Sequence, residues 1–218
     1  IKIYSKYVAE MGKHISVETI RNTLRRCGYK ARVKSRKPAI NENARLERLR
    51  FAKKHLKWTA DNWRKVVFSD ENKLESDYVN QTKKFGGGGI MVWSCIILRG
   101  VGEICRIKTH LNNKGYRIIL AKDLFGTLLE HDLDLKDVIL QHDGDPKHRA
   151  TDTKNWINQR NINTLKWPPY SADLNPIENA WSEVKKCLEE RLKELEQEQG
   201  SATKKEKLNK LWKMVEKE

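Results

Sequence analysis

The 218-residue sequence predicts an α/β domain with a mixed central sheet, preceded by a basic helical arm. Three observations carry this expectation. First, three apolar runs rich in β-branched and aromatic residues follow one another between positions 65 and 108, and helix and strand patterns then alternate to position 195. That order belongs to a mixed sheet covered by helices. Second, the net charge of +15 is unevenly placed: residues 1–58 hold 17 Lys/Arg against 4 Asp/Glu, while residues 59–218 stand at only +2. A basic arm ahead of a nearly neutral domain points to a polyanionic partner held by the arm; a merely solvated Lys-rich surface is the bland alternative. Third, two of the apolar runs end at acids, Asp70 and Asp143.

Each element has its own local reason. Ser16 caps a helix that ends at Gly28, with Ile20 and Leu24 on one side and Arg21, Arg25 and Arg26 mostly on another. This suits a helix-turn-helix recognition element or, equally, an amphipathic surface helix. KARVKSRKPAI (30–40) is basic, ends near a proline and lacks helical period. It reads as an extended linker along a phosphate backbone and as a nuclear-import patch. NENARLERLRFAKKHLKW (41–58) is a helix capped by Asn41 or Asn43, with Leu46, Leu49, Phe51, Ala52 and Leu56 as its apolar set.

KVVFSDE (65–71) reads as a buried strand that stops at Asp70. GGGGIMVWSCIIL (86–98) and GEICRIK (102–108) are the next strands, with a turn at Arg99-Gly100. Residues 112–131 form one helix through Tyr116, Ile119, Leu120, Leu124 and Leu128. DVILQHD (137–143) is a strand, 149–161 a helix with Trp156 and Ile157 inward, and 162–167 a short strand. A Pro-rich loop leads to a long helix over 177–195, a break over 196–203 and a final amphipathic helix. The four cysteines form no C-x-x-C pair, so reduced thiols in an intracellular compartment are expected. No apolar run reaches the ~18 residues of a membrane span, so no membrane partner is expected. Ile1 in place of Met, with no signal peptide, suggests a piece of a longer protein.

If the strands ending at Asp70 and Asp143 are parallel neighbours, both carboxylates emerge at one sheet edge, where α/β sheets bind ligands. Glu178 opens the last long helix. Three carboxylates without a cationic partner repel one another unless a divalent cation lies between them, and oxygen-only ligands favour Mg²⁺ or Mn²⁺ over Zn²⁺. Two such ions ~3.5–4 Å apart can activate water and stabilise the leaving oxygen in phosphodiester cleavage. Structural alternatives stand beside this. Asp70 could end a strand, Asp143 and Asp145 could make a turn, and Glu178 could close a capping box with Asn175 as N-cap and Pro176 at N1.

FSDE (68–71), QHDGDPKH (141–148) and WPPYSADLNPIENAW (167–181) together resemble, in order, the Tc/mariner superfamily of DDE transposases. Thirty-four residues separate Asp143 from Glu178, as in the Tc-like branch. FGGGGIMVW and SVETIRNTLRRCGYKARVKSRKP fit as well, so the resemblance runs from about residue 14 to 195.

It implies a ribonuclease H-like catalytic fold over 65–195, behind a partial helix-turn-helix region and basic linker (1–40) and a connecting helix (41–64). A helical tail (196–218) follows. It implies a metal-dependent DNA transposase that cleaves transposon ends and transfers strands into target DNA. Asp70, Asp143 and Glu178 become the catalytic and metal-binding triad, with Mg²⁺ or Mn²⁺ as a pair of ions. Gly144 is expected to turn the backbone sharply beneath the metal. Lys147 and His148 are expected to face DNA or brace the loop, without either histidine of the box as a metal ligand. Arg21, Arg25, Arg26, Lys30, Arg32, Lys34, Arg36 and Lys37 are expected to contact double-stranded DNA, bound by a homodimer in the nucleus.

The resemblance departs in two places. The first helices of a paired DNA-binding region are missing, and only 15 residues lie between Asp70 and Gly86, where the family carries a longer loop with a W-R-x-x-G-E segment. The short loop keeps open a domesticated DNA-binding protein with lost or reduced transposition. A nuclease of RNA–DNA hybrids is a third reading, disfavoured by the basic helix and linker.

Overall fold

The computed structural model describes residues 16–27, 40–75, 89–199 and 204–215, and the chain divides into two compact units, Ile1–Ala39 and Ile40–Glu218. In the first unit, helix α1 (Val17–Arg26) starts where the Ser16 hydroxyl accepts the Thr19 N–H at 3.1 Å. Arg21 and Arg25 pair with Glu18 at 3.1 and 3.5 Å, and both, with Arg26, are exposed. The expected cap at Gly28 and the linker positions Lys30, Arg32, Lys34, Arg36 and Lys37 lie outside the described residues.

The second unit opens with α2 (Glu42–His55), capped by the Asn41 side chain, which accepts the Ala44 N–H at 2.8 Å. Its expected apolar stripe is not a buried face: Leu49 and Leu56 are exposed, whereas Ala44 and His55 are buried. Packing here comes from rings. Phe51 lies 4.2 Å from His55 and 5.3 Å from Trp167, and His55 lies 4.4 Å from Trp58, centroid to centroid. The short α3 (Ala60–Arg64) adds Trp63 to the group, 4.7 Å from Trp58.

Among the described residues six strands form one sheet: β1 (Val66–Glu75), β2 (Gly89–Ile97), β3 (Gly100–Val101), β4 (Cys105–Ile107), β5 (Ile139–Gln141) and β6 (Thr164–Leu165). Their order is β3-β2-β1-β5-β6, with β4 also on β2. β1 and β2 are antiparallel, while β1, β5 and β6 run parallel, which is the mixed sheet expected. β1 does not stop at Asp70. It continues to Glu75 because β2 supplies a partner for every residue from Phe68 to Glu75, with Asp70 opposite Ser94. Of the predicted 102–108 strand only Cys105–Ile107 is strand, β4; β3 lies before it at Gly100–Val101, and between the two Gly102 packs against Thr127. A Cβ on Gly102 would lie 2.5 Å from that side chain. The turn before β3 falls on Leu98-Arg99.

The expected helix over 112–131 is present as α4 (Asn113–Ile119), a π-helical turn (Leu120–Leu124) and α5 (Phe125–Glu130). The wider turn buries Asp123 along with Leu120 and Leu124, and Thr127 donates to the Asp123 carbonyl at 2.8 Å. Next come α6 (Pro146–Arg149), α7 (Thr151–Gln159), α8 (Ile177–Gln199), which overruns its predicted end at 195, and α9 (Lys204–Val215).

Alternation along β2 supplies both layers of the core. Trp93, Cys95 and Ile97 point to one face, with Tyr116, Leu120, Leu124 and Ile157 from the helices between β4 and β6. Ile90 and Val92 point to the other, with Ile177, Trp181 and Leu188 of α8 and Val215 of α9. Each fully buried leucine such as Leu120 contributes about 1.5–3 kcal/mol. None of the described helices is long and apolar enough to cross a membrane.

Candidate active site

The parallel pairing of β1 and β5 sets the site. Phe68 lies opposite Gln141, so the same register carried two residues further brings Asp143 level with Asp70. Asp143 itself lies beyond the strand, which ends at Gln141 rather than at 143. Ser69 binds the two strands together: its N–H donates to the Gln141 side-chain oxygen at 3.1 Å and its hydroxyl to the Gln141 carbonyl at 2.8 Å. Asn175, just before α8, donates from its side chain to the Ser69 carbonyl at 3.3 Å. These contacts hold the segments carrying the three acids. Asp70, Asp143 and Glu178 line one cavity of about 650 Å³ together with Gln141, Arg149, Tyr170 and Asn175.

Glu178 is not part of a capping box. The Asn175 N–H that its carboxylate would have to accept already donates to the Ala172 carbonyl at 2.9 Å. Gly144 is not a strained turn either: its φ is not in the left-handed region, and a Cβ there would meet nothing within 4 Å. The turn is made by side chains. Asp143 Oδ1 accepts the Asp145 N–H at 3.0 Å, and Asp145 Oδ1 accepts the Lys147 N–H at 3.0 Å, starting α6.

Strand alternation turns Glu71 away from Asp70, toward the basic pair that follows the turn. Lys147 Nζ lies 3.2 Å from Glu71 and 3.0 Å from Asp145. The buried His148 contacts Asp143 through Nδ1 at 2.8 Å and Glu71 through Nε2 at 3.3 Å. Burial opposes charge on His148, but these two carboxylates outweigh it and raise its pKa to about 9. The imidazolium therefore donates to both acids. Tyr116 hydrogen-bonds His142 at 3.0 Å, and His142 stacks on His148 at 5.0 Å. Burial and the neighbouring His148 charge lower His142 to about 4, so it is neutral. Lys147 and His148 thus brace the D-x-D turn from within. Glu71, which receives them, was missed by sequence reasoning, although an acid next to Asp70 and a Lys-His pair after the D-x-D turn were its signal.

The acids titrate apart. Burial pushes Asp143 up, but the His148 hydrogen bond and the Asp145 N–H overcome it and hold it at about 2. Asp70 is raised to about 7, by burial first and then by the charges of Glu178, Glu71 and Asp143. A carboxyl made reluctant to ionise by like charges fits a site that takes a divalent cation, and the all-oxygen donor set fits Mg²⁺ or Mn²⁺. The three carboxylates face one cavity without being gathered into a finished ligand set: among the described residues no three His, Cys, Asp or Glu side chains are close enough to hold an ion.

α2 reaches the same site. Arg48 grips Asp173 with two 2.7 Å hydrogen bonds and also donates to Ser171 Oγ at 2.7 Å and the Tyr170 carbonyl at 3.0 Å. This holds Tyr170, exposed at the cavity rim, in a left-handed conformation with φ of 51°.

A mixed sheet with acids on β1, just after β5 and at the start of α8 lining one cavity is an arrangement that fits the DDE class of polynucleotidyl transferases. The comparisons agree. A family model described as Transposase matches residues 2–57, and one described as DDE superfamily endonuclease matches residues 103–199. The Tc1 transposase of Caenorhabditis elegans is 32% identical over 192 residues, covering 79% of this chain and 70% of that protein. The Tcb1 transposase of Caenorhabditis briggsae is 33% identical over the same length and shares.

Among solved structures, the Mos1 transposase paired-end complex with left transposon end has a TM-score of 0.64 at 18% identity, covering 97% of this chain and 70% of that one. The Mos1 catalytic domain with raltegravir and Mg has a TM-score of 0.54 at 18% identity, covering 82% and 93%. The chain belongs to the Tc1 family of transposases, and its catalytic unit is a ribonuclease H-like DDE endonuclease and strand transferase.

Proposed function

We propose that Asp70, Asp143 and Glu178 are the catalytic acids with which this chain cuts a strand at its transposon end and joins the freed 3′ end to target DNA. The observation that carries this is their shared cavity, in which burial first, and then the charges of Glu178, Glu71 and Asp143, raise Asp70 to about 7. Asp70, Asp143 and Glu178 would hold Mg²⁺ or Mn²⁺, as a pair of ions, and these would supply charge neutralisation for the attacking and leaving oxygens. The protein's own part is positional. His148 and the Asp145 N–H keep Asp143 ionised and aimed, Ser69 and Gln141 fix it against Asp70, and Asn175 fixes the root of Glu178. Water attacks first and the freed 3′-hydroxyl second, so no bond to the protein forms.

The exposed Arg21, Arg25 and Arg26 of α1, with Lys30, Arg32, Lys34, Arg36 and Lys37, hold the duplex through phosphate contacts. A homodimer brings two transposon ends together, and the chain acts in the nucleus. The relatives lend no support to the domesticated alternative. The test is nicking of supercoiled plasmid by the full chain in Mg²⁺ or Mn²⁺. Wild type nicks, and Asp143→Asn binds DNA equally but does not nick. Undiminished metal-dependent nicking by Asp143→Asn rejects the assignment.

A further inference from the structure

A second cleft, of about 450 Å³, opens at the other end of the sheet, where β1, β5 and β6 begin. Lys54 of α2, Lys65 before β1, Lys136 before β5 and Lys166 after β6 converge on it, with Asp137 as the one acid in its lining. All four lysines are exposed. Lys136 pairs with Asp134 at 2.7 Å, while Lys54, Lys65 and Lys166 have no ion pair among the described residues. Residues 59–218 stand at only +2 as a whole, so this concentration of one sign is local.

The cleft is also tied to the active site. Trp58 in its wall contacts His55, His55 contacts Phe51, and Phe51 contacts Trp167, which lines the catalytic cavity. Lys166 and Trp167 are neighbours serving one cavity each. Along β1, Lys65 and Asp70 are five residues apart, ~17 Å at ~3.3 Å per residue. That span is about five steps of a duplex rising ~3.4 Å each.

We propose that this lysine cleft is a second DNA contact, taking the phosphate backbone of the same duplex about five base pairs from the strand held at the carboxylates. The proposal rests on the reading that the chain acts on DNA. Ammonium groups are point charges that fix a backbone without reading bases, so the cleft adds affinity and register rather than sequence choice. It also sets a minimum length of DNA beyond the cut.

The test uses the full chain and a K54Q/K65Q/K166Q variant, with K108Q/K114Q/K154Q as a charge-matched control and thermal melts to confirm folding. Duplex binding is measured across a salt series. The cleft variant should flatten the log–log slope by about 0.9 per lost phosphate contact, two to three units in all, and the control should not. Wild type should also gain affinity as the duplex beyond the cut is lengthened from about two to eight base pairs, and the cleft variant should lose that gain. Equal slopes and equal length dependence in wild type and cleft variant overturn the proposal while leaving the DNA reading intact. Failure of wild type to bind duplex at all overturns the DNA reading and the cleft with it. Loss of polyglutamate binding with duplex binding unchanged assigns the cleft to an acidic protein segment, which also contradicts the proposal.

Discussion

His148 and Asp143 meet at 2.8 Å, and the opposite nitrogen of the same imidazole reaches Glu71 at 3.3 Å. One buried cation thus joins an acid of the cavity to an acid on the other side of β1, and the two roles of the D-x-D-P-K-H turn separate. Asp143 is exposed to the cavity and His148 holds it there, while Lys147 braces Glu71 and Asp145.

Removing this cation should be costly. His148→Ala leaves Glu71 buried with Lys147 alone, and loss of one partner of a buried pair costs about 3–5 kcal/mol. The folded pKa of His148 is about 9, above its usual 6.5, so its stabilisation is complete below pH 6.5 and is lost as pH rises through 9. Urea melts between pH 6 and 10 should show wild type losing stability over that window and His148→Ala losing much less.

Asp70 behaves in the opposite sense. Its folded pKa of about 7 lies above the unfolded 3.8, so it costs stability as pH rises from about 4 to 7, and the cost persists above 7 unless a cation relieves it. Mg²⁺ or Mn²⁺ should therefore raise the melting temperature more at pH 8 than at pH 6. Asp70→Asn should be more stable than wild type without metal and gain little from it. A metal effect independent of pH contradicts this.

The fold was largely legible in the sequence because its elements rest on local patterns. Ser16 and Asn41 cap the helices expected of them, and Tyr116, Leu120, Leu124 and Leu128 are buried as their spacing requires. What was misread depends on partners far along the chain. Asp70 looks like a strand end, yet Ser94 sits opposite and β1 runs on. Leu49 and Leu56 look like a core stripe, but rings from Trp58, Trp63 and Trp167 occupy that role. The acids of the site stand out in sequence. Arg48, Ser69, Gln141 and Asn175, which position them, are ordinary residues until the strand register is known.

Arg48 should act on catalysis without touching DNA chemistry. It fixes the loop from Tyr170 to Asp173 beside the cavity, and only a planar guanidinium can make both bonds to Asp173. Arg48→Ala should lower the rate of nicking by about tenfold or more through misplacement, with duplex affinity little changed. Arg48→Lys should not restore it. Full activity in either variant rules out this positioning role.

Two glycines should respond oppositely. Gly102→Ala places a methyl 2.5 Å from Thr127 and 2.6 Å from Cys95 Sγ, and should destabilise by about 1–3 kcal/mol. Gly144→Ala meets nothing and needs no unusual φ, so its melting temperature should match wild type. Any loss of nicking by Gly144→Ala then reports close approach of DNA at the cavity rather than a damaged turn.

The most direct test of the central claim is a crystal structure of the chain grown with Mn²⁺, read by anomalous scattering. Mn²⁺ is expected in the cavity with oxygens of Asp70, Asp143 and Glu178 drawn onto it at about 2.0–2.4 Å, and no peak there in Asp143→Asn. Carboxylates that stay apart with no Mn²⁺ between them, or Mn²⁺ held without Glu178, contradict the assignment of these three residues as one catalytic set.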